Sequence, residues 1–115
     1  MDINIKNYQD TIIVDIAGDI DGQTSSIVQE KLLPLLIPQS KIILNLSEVI
    51  YMSSAGLRVL LNLYKQAVAQ ESRLILVGLS EEVKDIMEIT GFLKFFIISN
   101  TVDIALKELN VTPNE

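Results

Sequence analysis

Apolar and polar positions change period repeatedly along the chain, and each change marks an element. Residues 2–7 set Ile3 and Ile5 between polar neighbours, the alternation of a half-exposed strand. A turn around residues 7–10 leads into TIIVDIAG, where Ile12, Val14 and Ile16 share one face, so the opening reads as an antiparallel hairpin. Gly18 and Gly22 then bracket a polar loop, GDIDG. From Thr24, a residue suited to capping, the spacing becomes helical over about residues 24–37, with Ile27, Val28, Leu32, Leu35 and Leu36 on the apolar side. Pro34 falls inside that span, so a kink or early end is expected there.

KIILNLS (41–47) is a β-branched apolar run of the kind covered on both faces. After a short loop, SSAGLRVLLNLYKQAVAQ is the longest helical pattern, with a stripe of Leu57, Leu60, Leu61, Tyr64 and Val68. Val59 and Leu63 form a further i, i+4 pair on another side of that helix. Such a pair either packs on a second neighbour or offers a binding face, and we expect it to serve a partner. RLILVG (73–78) reads as another buried strand. SEEVKDIMEITG carries helix punctuation, with Ser80 as N-cap, two glutamates in the first turn and Gly91 as the stop. FFII (95–98) is expected to be a last strand, residues 100–109 a last helix, and 110–115 a frayed tail.

The order β-β-α-β-α-β-α-β-α predicts an α/β fold: a mixed, mostly parallel sheet of about five strands, packed by about four helices through right-handed crossovers. A length of 115 residues fits a single domain over 1–115. No internal repeat or low-complexity segment interrupts it.

Composition narrows the chemistry. The chain has no Cys and no His, which removes disulfides, thiolate nucleophiles and the Ser–His–Asp and Cys–His arrangements. Fifteen acidic against nine basic residues give a net charge of −6, the wrong sign for a nucleic-acid surface or an anionic membrane. No stretch approaches the roughly 20 apolar residues needed to span a bilayer, and the polar MDINIKNYQD lacks the layout of a signal peptide. A cytoplasmic protein without membrane insertion is expected. Glu81 and Glu82 are adjacent on a helix and do not face each other. Asp19 and Asp21 alone are too few oxygen ligands for a metal, and the glycines show no phosphate-cradling spacing. We expect no cofactor, no metal and no catalytic residue.

One junction stands out: NLSEVIYMSSAGL (45–57), which joins a buried strand to the longest helix. Such carboxyl ends of strands are where open α/β sheets place ligands. Read from residue types alone, Ser53 or Ser54 is an ordinary N-cap and Arg58 an ordinary solvated cation. The same physics admits a second reading. A helix start tolerates an added anion, a phosphate on Ser54 would add about −1.5 to −2 charge, and Arg58 lies four residues on, on the same face.

VIYMSSAGLRVLL, preceded by KIILNLS and by GDID (18–21), resembles the STAS domain, and within it the small free-standing bacterial anti-sigma factor antagonists. The likeness covers nearly the whole chain. It implies a regulator whose unphosphorylated form binds an anti-sigma factor serine/threonine kinase and frees a sigma factor. Phosphorylation would break that complex, and a serine phosphatase would restore it. The family's Asp-Ser-Ser/Thr-Gly-Leu run places the phosphoacceptor at Ser54, with Ala55 next and Gly56 and Leu57 matching. Ser53 stands where the family most often has Asp, which leaves Ser53 as an alternative acceptor. The loop equivalent to GDID implies that Asp19 and Asp21 join Ser53, Ser54, Ala55, Gly56, Leu57 and Arg58 in the partner-binding surface. A different role, as an unphosphorylated accessory subunit of a transport or signalling complex, uses the same serine as a contact.

Overall fold

The computed structural model describes residues 1–110. The elements are β1 (Asp2–Tyr8), β2 (Thr11–Ala17), α1 (Ser25–Leu32), β3 (Lys41–Glu48), α2 (Ser54–Ala69), β4 (Arg73–Val77), α3 (Glu81–Ile89), β5 (Ile97–Ser99) and α4 (Val102–Asn110). The strands lie side by side in the order β1-β2-β3-β4-β5, with β1 antiparallel to β2 and the other neighbours parallel. Right-handed crossovers that always step in the same direction lay their helices on one face of a sheet. Accordingly α1, α2 and α3 share one face, and α4, which connects to no further strand, folds under β3, β4 and β5 on the other. This is the expected α/β architecture.

Alternation within the strands divides the core between the faces. Val14, Ile16, Ile42, Leu44, Leu46, Leu74 and Leu76 point to the three-helix side, while Ile13, Ile43, Ile75 and Val77 meet Ala105 and Leu109 of α4. Ile42, Ile43 and Leu44 are therefore buried on both faces, as the composition of the 41–47 run predicted, while Ser47 near its end is exposed. Each fully buried Leu or Ile of this kind contributes roughly 1.5–3 kcal/mol, so the central strands form the rigid base from which the loops project.

The early end expected at Pro34 is found, and four other local expectations are corrected. The helix after Thr24 ends at Leu32, and Leu33–Leu35 form a 3-10 turn around Pro34, which has no N–H to continue the α ladder. Val59 and Leu63 are 6% and 0% exposed, because α2 packs on α1 as well as on the sheet, so this pair is core rather than a partner face. Val68, assigned to the buried stripe, is 59% exposed. The last strand begins at Ile97, since pairing with Ile75 sets its register, and Phe95 and Phe96 instead pack their rings at 5.5 and 5.7 Å from Tyr64. The last helix starts at Val102, with the Thr101 hydroxyl accepting the Ile104 N–H at 3.2 Å. The frayed tail expected over 110–115 lies outside the described residues from 111 onward, and Asn110 closes α4. Among the described residues, no helix is long and apolar enough to cross a membrane.

Candidate functional site

Beyond the ends of β2 and β3, the chain continues as two loops, 18–21 and 49–53, held together through their backbones. The Gly18 N–H donates to the Glu48 carbonyl at 3.1 Å, the Ile20 N–H to Tyr51 at 3.0 Å, and the Ser53 N–H to Ile20 at 2.9 Å. Ile20 and Met52 pair as an isolated parallel bridge, and both are buried. The two loops thus extend the sheet by one step past its edge and bring the GDID segment beside the serines.

Helix α2 starts directly on this ledge. Ser53 is its N-cap, in extended conformation, with Oγ accepting the Gly56 N–H at 3.4 Å. Ser54 is the first helical residue and is exposed, so the two serines divide the roles between them. The close seat depends on Gly56. A Cβ there would lie 2.6 Å from Met52 Cγ and 2.8 Å from the Ile20 carbonyl oxygen, closer than real Cβ contacts come. Gly56 and Leu57 are buried, so they position the surface rather than form it, whereas Ala55 is half-buried and Arg58 exposed. Among the described residues Arg58 belongs to no ion pair.

Asp19 is exposed, but Asp21 has internal work. Its carboxylate accepts the Gln23 N–H at 2.9 Å and the Thr24 N–H at 3.1 Å. Those bonds, Gln23 first, hold the carboxyl below its ordinary pKa against a smaller opposing effect of desolvation. Thr24, expected as the cap, turns its hydroxyl backwards instead. Its Oγ1 accepts the Asp21 N–H at 2.9 Å and donates to the Asp19 carbonyl at 2.7 Å. The 19–24 loop is therefore a fixed turn in which the Asp21 carboxylate serves the start of α1.

Pattern reading missed two residues. Ile50 and Tyr51, on the approach to Ser54, are 70% and 49% exposed. VIYM reads as a buried run, yet only its outer pair, Val49 and Met52, turns inward. The site therefore combines an exposed hydroxyl at a helix start, an apolar shoulder of Ile50 and Tyr51, and one unpaired cation. That combination suits contact with a protein surface, where aromatic anchors and arginine carry much of the binding energy.

The STAS domain family model matches residues 2–105. The anti-sigma-B factor antagonist of Bacillus subtilis is 32% identical over 107 residues, covering 93% of each chain. A crystal structure of an anti-sigma factor antagonist from Mycobacterium paratuberculosis superimposes with a TM-score of 0.84 at 20% identity, covering 96% of this chain and 94% of that one. The Bacillus cell fate determinant SpoIIAA in its phosphorylated form gives 0.72 at 17% identity, covering 95% and 100%.

Proposed function

The chain belongs to the STAS domain family, and on that premise we propose that it is an anti-sigma factor antagonist switched by phosphorylation of Ser54. In this reading the unphosphorylated protein docks on an anti-sigma factor serine/threonine kinase and so frees a sigma factor. A phosphate placed on Ser54 ends the complex, and a serine phosphatase restores the binding form. In this reading the protein acts by binding rather than by catalysis.

The observation that carries the proposal is the exposed Ser54 at the first position of α2, next to the exposed Ile50 and Tyr51. Ser53 is the poorer acceptor, because the residue is half-buried and its hydroxyl is used as the cap. Magnitudes indicate where a phosphate would act. In the free protein it sits at a helix start, where the aligned peptide dipoles favour an anion by roughly 0.3–1 kcal/mol, so the fold tolerates it. In a close-fitting complex the same charge must lose its water, at a cost on the order of several kcal/mol per ion unless it is paired. The switch thus works on the complex and leaves the fold intact. The relative solved in a phosphorylated form, with the same architecture, is consistent with such tolerance.

The test is incubation with the cognate kinase and ATP, followed by mapping of the phosphate. Label on Ser54 is expected, with Ser54→Ala unlabelled but still binding the kinase and Ser54→Asp binding at least about tenfold more weakly. Label at another residue, or undiminished binding by Ser54→Asp, refutes the reading.

A further inference from the structure

Beside the start of α2 an open groove of about 210 Å³ separates it from α1. Ser25, Ser26 and Gln29 line one wall, and Ala55, Arg58 and Asn62 the other. Asn62 Nδ2 donates to Gln29 Oε1 at 2.9 Å and closes the far end. Residues early in α1 thus face residues early in α2, and later ones face later ones, so the helices run in the same direction and both begin at this groove. Two helix starts present partial positive charge to one place.

Two independent features point to an anionic occupant. Arg58 is the only charged side chain among the described lining residues, and it belongs to no ion pair. Ser25 is only 9% exposed, and its hydroxyl, with no hydrogen-bond partner among the described residues, is the part of it that opens into the groove. With the rest of the residue packed away, a partner for that hydroxyl can approach only from inside the groove. Asp21, in the turn before α1, directs its carboxylate to the Gln23 and Thr24 N–H groups and forms no ion pair with Arg58.

We propose that this groove is a subsite for a single carboxylate side chain of the docking partner, gripped by Arg58 with the Ser25 hydroxyl as a second donor. That the carboxylate comes from a docking protein rests on the function proposed above. One guanidinium balances one carboxylate in a forked pair, whereas a phosphate dianion would leave a charge uncompensated. The subsite supplies an attractive, charge-selective contact separate from the Ser54 hydroxyl.

The experiment is an amide NMR titration with acetyl-glutamate amide, using acetyl-glutamine amide as the neutral control at constant ionic strength. Saturable shifts are expected at the Ser25 and Ser26 amides and the Asn62 side chain with the acid only. Arg58→Gln, at an exposed position, should keep its spectrum yet bind roughly tenfold more weakly, the loss of one charge-assisted pair. Ser25→Ala should weaken binding to a lesser degree. Absence of saturable shifts, shifts spread over the lysines, or equal binding by Arg58→Gln overturns the subsite. No kinase enters this measurement, so it can fail while Ser54 is still labelled, and it can succeed where Ser54 is not.

Discussion

Helices α2 and α3 start at the same edge of the sheet with the same device, a serine in extended conformation whose Oγ accepts an N–H three residues on. The distances are 3.4 Å for Ser53 to Gly56 and 3.2 Å for Ser80 to Val83. Their first turns differ. At α3, Glu81 and Glu82 supply permanent negative charge to the helix start, whereas α2 has Ser54, Ala55 and Gly56 and no acid. The α3 start is electrostatically complete as synthesised, and the α2 start has room for charge to be added and removed. Capping chemistry alone therefore does not distinguish the α3 start from the α2 start, where the proposed switch lies. The residue just inside the cap does.

Four measurements sharpen or break that contrast. The largest effect is expected from Gly56→Ala, because α2 rests on the Ile20 carbonyl and Met52 with no space for a Cβ. Denaturant unfolding should show a loss of about 1–3 kcal/mol, and an unchanged midpoint would mean that the α2 start is not closely seated. Next come the caps. Ser80→Ala should cost about 1 kcal/mol and Ser53→Ala less, given its longer bond, so the reverse order would contradict the geometry. Ser54→Asp should raise stability by roughly 0.3–1 kcal/mol at low salt and lose the gain at high salt, while Glu82→Gln should lower it by a similar amount. A Ser54→Asp protein that unfolds more easily at low salt would show that α2 does not accept an anion.

The smallest effect concerns the third start on this edge, that of α1, whose charge comes from Asp21. Its folded pKa is lowered by the Gln23 and Thr24 N–H groups, so its contribution is present above the unfolded value of about 3.9 and disappears as pH falls through the lowered folded value. Asp21→Asn should therefore be less stable than the parent near neutrality, with the gap closing in acid below about pH 4. A gap that persists undiminished at low pH would assign the loss to something other than the carboxylate.

The alternation of β-branched runs with 3.6-residue patterns was enough to read the element order, and Ser80, the two glutamates and Gly91 marked α3 to within a residue. Burial within α2 was harder to read. Leucine and valine occur around much of that helix, and only the placement of α1 decides that Val59 goes inside and Val68 outside. Strand β5 was displaced because phenylalanine suits either a strand or a packed turn, and Tyr64, far away in sequence on α2, takes both rings. At the site, the serine and the glycine were visible in the motif. Ile50 and Tyr51 were not, since local pattern cannot show that the loop twists its middle residues outward. The role of Asp21 also escaped, because its partners are backbone groups that carry no sequence signature. The Arg58 groove depends on two helices lying side by side, which one-dimensional spacing does not express.

The ladder of main-chain bonds from residue 18 to residue 53 has a consequence for association. A recognition surface built on flexible loops must surrender conformational freedom when it docks, at about 1–2 kcal/mol for each residue fixed. Here the backbone is already immobilised by bonds that no side-chain substitution on the rim removes. Under the proposed function a docking protein would meet a finished template, and its residence time would depend mainly on the chemical state of the groups displayed there.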